Sequence, residues 1–470
     1  MRRYRDCTTL LLAAALHLAP PPLAARDGVP DPAFGNHAPG VSIIDVVANP
    51  AISIDMARAV LALPDGRLLV GGTSAYASNL PTALSLVRLD ANGQRDMAFG
   101  DGGKVLVTVA PGVVLQRLAA LLATADGGLR LLVTGVVGNV SRLWLCHVDA
   151  AGVVQGACVE LPAPPGLSFR LGRAAAVLDD QGRIVTLAPI ILPGRGLSVA
   201  RWQIDGSSDT SFGNGGAITI TRFDELAGQA SNNSVGDVKI DTQGRIVVAA
   251  TSELHTTSIP VPTFAAARLL ASGQPDTTFG DGGARLVPTS ESLDATALAL
   301  DANDGLVIGG NRLVITPTSP PVLESEFALA RIDVDGDVDV GFGDAGLRRI
   351  VFRSGMPPDD ACAAVIIQPD GRIAAAGHSR APGSTGGFDL AIARLWPDGR
   401  LDEGFGNAGS GRFIGPIDLA DGFGNLDAIA AIRWHDQHLV AAGYARSGYD
   451  QDEFAVVRLR ADGLLDAGFE

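Results

Sequence analysis

The sequence predicts an all-β fold, a seven-bladed β-propeller of four-stranded antiparallel blades closed by an N-terminal strand that completes the last blade. Three observations carry this. First, an arginine is followed eight residues later by an aspartate six times: Arg88/Asp96, Arg201/Asp209, Arg268/Asp276, Arg331/Asp339, Arg394/Asp402 and Arg458/Asp466. His147 and Gln155 stand at the seventh such place. Losing both partners together is what an ion pair would do, because an orphaned buried charge costs more than none. Second, these positions lie 59, 54, 67, 63, 63 and 64 residues apart, and a period of that kind makes one domain of stacked copies whatever the length. Third, the apolar runs are strand-sized and punctuated by 58 glycines, without helical periodicity.

Each copy reads in four pieces. An apolar run ends in a turn such as Pro64-Asp65-Gly66-Arg67 or Pro369-Asp370-Gly371-Arg372, where proline presets one dihedral and glycine accepts a positive φ. A second apolar run follows at once, as in Leu68–Gly72, and a hairpin that hardly alternates is one buried on both faces. After a loop of variable length comes the third strand, which carries the arginine and runs into a D-x-x-G-x-x-D-x-x-F-G turn. A short fourth strand such as Val105–Val109 completes the unit. The chain opens with Asp31-Pro32-Ala33-Phe34-Gly35 and Val41–Asp45, and closes at Asp466-Ala467-Gly468-Phe469-Glu470. The N-terminal strand is therefore expected to be the outer strand of blade seven, which also removes two exposed sheet edges.

Residues 1–25 have the form of an export signal: Arg2, Arg3 and Arg5, an apolar run from Thr8 to Ala19, and small residues at Leu23-Ala24-Ala25. Residues 26–470 are then a single propeller domain, secreted or periplasmic, and no later segment is suited to span a bilayer. Loss of the signal moves the net charge from -15 to about -17. So acidic a surface repels phosphate backbones, which excludes nucleic acid as a partner. Arginine outnumbers lysine 34 to 2, as in a GC-rich bacterial genome. Cys146 and Cys158 fall in the copy that lost its Arg/Asp pair and are candidates for a compensating disulfide, against the alternative of two buried thiols. Cys362, in an apolar strand, reads as an inert core residue.

The D-x-x-F-G-x-x-G turn and the P-D-G-R hairpin at about 60-residue spacing resemble the delta-60 repeat family of predicted bacterial propellers, over essentially the whole mature chain. The resemblance implies a fold and a tendency to export. It implies no catalytic residues.

Candidate chemistry is thin. The Arg/Asp pairs recur too often to be sites and read as fasteners between a strand and the following turn. If buried, Arg331→Ala should cost on the order of 3–5 kcal/mol. Asp333–Asp339 has the charge density of a calcium loop but lacks the distal glutamate and the flanking helices, so it reads as a solvated turn. Successive strand reversals put both constant turns at one end of every blade and both variable loops at the other, where function belongs. There Asp55, Asp294, Asp360 and Asp427 enter the innermost strands and would form an acidic ring at the channel mouth. Such a ring could hold a divalent cation, crowding would raise some of its pKa values, and the competing reading is backbone satisfaction at each strand start. No other cofactor is expected. Thr251–Thr263 and Asn311–Glu326 read as long recognition loops, and Tyr444, with Tyr449, could stack on a sugar or peptide. No G-x-S-x-G elbow, H-E-x-x-H or C-x-x-C occurs. The reading favours an exported, monomeric, non-enzymatic propeller that binds a protein, peptide or carbohydrate through its variable-loop face. The alternative is a metal-dependent hydrolase or lyase using the acidic channel mouth.

Overall fold

The computed structural model describes residues 34–36, 40–46, 53–75, 83–192, 194–220, 223, 232–254, 261–316, 322–353, 358–380, 387–406, 409–415, 417, 427–448 and 451–460. The export signal, Tyr449 and Asp466 lie outside them. The described residues hold 29 strands and no α-helix. None of their segments is a helix long and apolar enough to cross a membrane.

Strands pair as antiparallel meanders in chain order. Three sheets hold one meander each, beginning at Ser234–Ile240, Ser292–Leu300 and Asp360–Ile367. A nine-stranded sheet joins the meanders that begin at Val114–Ala123 and Ala175–Leu178 through the short strand Ser168–Phe169. An eight-stranded sheet joins the meander beginning at Ser53–Ala62 to the one beginning at Ala428–His435, where Ser53 and Ile54 pair in parallel with Gln451 and Asp452. That last meander has three strands of its own, and Val41–Ile44 adds to it antiparallel, from Val41↔Val457 to Ile44↔Phe454. First strands pack against the first strands of the neighbouring meanders, including Ser53–Ala62 against Ala428–His435. Second strands are the most buried, as their unbroken apolar runs require: every residue of Leu68–Ala75 is buried.

Six first strands carry a bulge at one level, between Ala57/Ala59, Leu118/Ala120, Val235/Asp237, Ala295/Ala297, Cys362/Ala364 and Ile429/Ala431. A bulge turns one extra residue out of register and bends the strand. It also presses a carbonyl onto the second strand. A Cβ at Gly310 would meet Asp294 O at 2.0 Å, and one at Gly377 would meet Ala361 O at 1.9 Å. The recurring glycine of the second strand is therefore a consequence of the bulge opposite.

The Arg/Asp spacing resolves into a three-way fastener. Nε of Arg88, Arg201 and Arg268 each lies 2.7 Å from Asp96, Asp209 and Asp276. Each guanidinium also covers the phenylalanine of its own turn, Phe99, Phe212 and Phe279, at 4.6–4.7 Å. Each then donates onward to a turn carbonyl of the next meander: Arg88 to Ala150 O (2.8 Å), Arg201 to Ala271 O (2.5 Å) and Arg268 to Val334 O (2.5 Å). Arg458 does the same to Ala91 O, linking the last meander to the first. The aspartate's second oxygen accepts a backbone N–H two residues on, as Asp276 does from Thr278.

Where His147 replaces the arginine, Arg130 stands beside it in register on the second strand and donates to Ile204 O at 2.9 Å. The onward bond is thus supplied from the neighbouring strand. Cys146 and Cys158 are joined by a disulfide across 12 residues, tying the same third strand to its turn. Closing a loop of that length restricts the unfolded chain by about 3 kcal/mol. Cys158→Ser is expected to lower stability by about 2–3 kcal/mol, measured as a fall in urea midpoint that dithiothreitol reproduces in the wild-type protein. Equal midpoints with and without reductant would show that the bridge contributes nothing.

Two expected loops are largely strand. The hairpins Ile246–Leu254/Val261–Leu269 and Leu306–Thr316/Val322–Ile332 run out in continuous register to Leu254↔Val261 and Thr316↔Val322. Their β-branched and leucine content (Val314, Ile315, Thr316, Val322, Leu323) outweighs the serines and prolines that suggest a loop.

Candidate functional site

Register fixes which loops share an end. First and second strands close at Ala62↔Leu68, beside the P-D-G-R turn, and third and fourth strands leave the same end after Leu89. The second-to-third and fourth-to-first connections lie at the other end, where the candidate aspartates stand. Three of these have one local task. Asp55 accepts the N–H of Val46 (2.9 Å), Asp360 that of Phe352 (3.0 Å) and Asp427 that of Ile417 (2.6 Å). Each buried carboxylate therefore anchors the connection that leads into its own first strand. Asp294 accepts from Thr251 Oγ1 at 2.8 Å instead.

Burial is what raises the pKa of Asp360, the Ser379 and Phe352 hydrogen bonds oppose it, and the carboxylate that adds to the rise is Asp359. Asp427 bears instead on Tyr444. Burial raises the Tyr444 pKa, Asp452 and Asp427 add to it, and Arg58 and Arg446 oppose. The phenol therefore stays protonated at neutral pH. Close by, at the seam where Ser53–Ile54 pairs with Gln451–Asp452, oxygens of Asp45, Asp55 and Glu453 lie within 4.8 Å of one another. Three carboxylates so arranged suit a hard divalent cation, which prefers oxygen ligands. The Asp333–Asp339 turn does not gather its carboxylates in this way. Asp333 spends one oxygen on the N–H groups of Asp335 and Asp337, and Asp337 pairs with Arg285.

Deeper between the first strands the character changes from acidic to cationic. Arg58 is the bulge residue of its strand, Arg117 stands on Val114–Ala123, and Arg173 just precedes Ala175–Leu178. The Arg173 guanidinium crosses the interior to donate to Thr296 O at 2.6 Å, and Thr296 Oγ1 donates to Cys362 O at 2.8 Å. Enclosure by protein lowers the pKa of Arg117, the charges of Arg58 and Arg173 lower it further, and it falls to about 10. Burial also lowers that of Arg58, with Tyr444 opposing and Arg173 adding. The Arg117 side chain nevertheless remains exposed to solvent. Further along, Arg433 and Asp237 feel each other's charge from opposite meanders.

Cys362 is 2 % exposed, and burial pushes its thiol up to about 12, so it is no nucleophile at neutral pH. His378 is lowered by burial and packs edge-on to Phe388 at 4.5 Å. The structure thus brings together Tyr444, Asp427 and Asp55, the last through the Asp45/Glu453 seam, and leaves Asp294 and Asp360 at separate loop anchors. The arginines escape notice in the sequence although they stand 59 and 56 residues apart, close to one repeat period.

Four-stranded antiparallel meanders with neighbouring first strands define the chain as a β-propeller. A family model described as "Domain of unknown function (DUF5122) beta-propeller" matches residues 63–99, 368–405 and 436–469. Each match runs from the hairpin turn through the arginine strand to the turn phenylalanine. No curated protein matches the chain. Among solved structures, a protein of unknown function from Dyadobacter fermentans is 11% identical at a TM-score of 0.41, covering 90% of this chain and 100% of its own. An alpha-L-arabinanase from Penicillium chrysogenum, complexed with arabinobiose, is 10% identical at 0.44, covering 76% and 96%. The polysaccharide lyase Uly1 is 10% identical at 0.44, covering 91% and 92%. Two of these three carry the names of saccharide-cleaving enzymes, which corrects the expectation of a non-enzymatic binding scaffold. That reading is dropped, and the hydrolase or lyase alternative is carried forward.

Proposed function

We propose that the chain is an exported, monomeric, seven-bladed propeller of delta-60-like repeats that cleaves a saccharide chain, as a hydrolase or lyase, at the interior mouth of its variable-loop end. Closure by the N-terminal strand is supported by the pairing of Val41–Ile44 with the last meander and by the Arg458 bond to Ala91. The export signal at residues 1–25 rests on the sequence pattern alone.

The observation that carries the enzymatic reading is the gathering of unlike groups at the seam between last and first meanders. Tyr444 is a protonated phenol beside a guanidinium, Arg58, and two carboxylates, Asp427 and Asp452. A positioned donor next to a positioned carboxylate is what acid–base cleavage of a glycosidic link requires. Tyr444 supplies the proton to the leaving oxygen as the C–O bond breaks, and a carboxylate of the seam takes one, from the attacking water in hydrolysis or from the carbon beside a uronate carboxylate in elimination. Asp45, Asp55 and Glu453 would hold a divalent cation, whose part would be to polarise a substrate oxygen.

The test is an assay of the purified protein on a panel of neutral and acidic polysaccharides, following both reducing ends and the ultraviolet absorbance of unsaturated sugars. Tyr444→Phe is expected to lower kcat by roughly 10²–10⁴-fold with little change in thermal stability. Absence of cleavage across the panel, or a Tyr444→Phe variant as fast as wild type, would refute the reading. Loss of activity in chelator, restored by calcium or magnesium, would assign the cation to the carboxylate seam.

A further inference from the structure

We infer that the interior guanidinium cluster Arg58, Arg117 and Arg173 is an anion-recognition site, and that the saccharide it takes carries acidic groups, carboxylate or sulfate, along its chain. This rests on the reading of the adjoining mouth as a saccharide-cleaving site and deepens it by naming the substrate class.

The argument begins from charge placement. The chain as a whole carries a formal charge of -15, yet arginines from three successive meanders, whose first strands pack side by side, bear on one another. Like charges that bear on one another in a confined space are unfavourable unless an anion joins them. For Arg117 the bearing charges are two more arginines, and for Arg58 the like charge is Arg173. Contrast the arginines of the turns, each of which meets an aspartate at 2.7–2.8 Å in four of the meanders. Those turn arginines are neutralised by a carboxylate, whereas Arg58, Arg117 and Arg173 bear on one another as like charges.

Geometry points the same way. Arg58 is delivered by a bulge, a device that re-aims one side chain out of the sheet. Arg173 is anchored through one nitrogen on Thr296 O, which orients the rest of its planar fork. Arg117 stays open to solvent. Guanidinium groups bind carboxylate and sulfate oxygens through paired N–H donors, and do so more strongly where water is scarce. The acidic exterior repels a polyanion and the cationic cluster attracts it, so short acidic oligomers suit it better than long ones. Tyr444, which bears on Arg58, sets the cluster beside the proposed chemistry.

The test measures binding apart from turnover. Calorimetric Kd values are taken for trigalacturonate, for its fully methyl-esterified form and for a sulfated galactan oligomer, using the full-length protein and the Arg117→Gln and Arg58→Gln variants. Trigalacturonate or the sulfated oligomer is expected to bind roughly 10–100-fold more tightly than the ester, with the same loss for Arg117→Gln and weakening as salt rises. Which of the two acids binds tells carboxylate from sulfate. An ester that binds as well as the acids, binding unaffected by either substitution, or no binding of any probe would each overturn the inference. The two readings fail separately. Acid binding without cleavage would sink the enzymatic proposal and leave this one standing, whereas equal cleavage of neutral polysaccharides would do the reverse. An unchanged melting temperature for Arg117→Gln, whose side chain is solvent-accessible, guards against loss of fold.

Discussion

Arg394→Ala is expected to cost on the order of 3–5 kcal/mol of stability, the largest loss of any single arginine in the described chain. Arg394 is wholly buried, with Nε and Nη2 both 2.8 Å from Asp402, itself 3 % exposed. Its guanidinium covers Phe405 at 4.7 Å. Truncation removes the ion pair, the stacked cation and the volume together, and leaves a buried carboxylate to Arg372, 3.2 Å away. The equivalent change at Arg331 should cost only about 1 kcal/mol. There the pair has opened to 3.6 Å with side chains 25 % and 38 % exposed, and Arg331 turns to Asp301 instead at 2.8 Å. The condition of burial attached to Arg331→Ala by the sequence is thus not met at that site. Urea midpoints of the two variants decide the matter. Equal losses would mean that burial does not govern the fastener. Partial recovery by an Arg394→Met, Asp402→Leu double variant is expected, since a well-packed apolar pair avoids the desolvation of both charges.

What could be read from the chain was whatever a short stretch of chain encloses. The arginine, its aspartate eight residues on and the turn phenylalanine belong to one local turn, so their contact follows from spacing alone. The onward bond from Arg88 to Ala150 O spans 62 residues and leaves no mark beyond the repeat period itself. Aspartates at strand starts were visible, but their pairing with Val46, Phe352 and Ile417 N–H groups depends on how each connection folds back. The cationic interior was hidden for a different reason. Arg58, Arg117 and Arg173 occupy irregular first strands, where bulges break the alternation that tells inward from outward. Their near-periodic spacing was the available signal, and it was masked by 34 arginines in all. Arg130, which replaces the missing third-strand arginine, could have been found by asking which residue lies across the hairpin from His147.

Phe34→Ala is expected to cost about 3–5 kcal/mol, as much as a core substitution, although it lies near the start of the described chain. Phe34 is 1 % exposed, and Arg458 lies over its ring at 4.5 Å. Around it the N-terminal segment reproduces two bonds of the turn that follows Arg88. Gly35 N donates to Asn92 O as Gly100 N does to Ala151 O, and Arg458 N donates to Gly40 O as Arg88 N does to Gly103 O. Gly93 supports the ring from beneath, where a Cβ would stand 2.7 Å from Phe34 Cζ. The sequence offers two copies of the turn motif to one arginine, Asp31–Gly35 and Asp466–Phe469, and Phe34 of the first occupies the place under it. On that ground Phe469→Ala should change stability by no more than about 0.5 kcal/mol. If the ring is closed by the N-terminal strand, Phe34→Ala also frees the edge of Gln451–Arg460, and the variant should become prone to self-association as well as less stable. Urea unfolding and light scattering of the two variants measure both effects. A Phe469→Ala variant as damaged as Phe34→Ala would place the clasp at the other end of the chain.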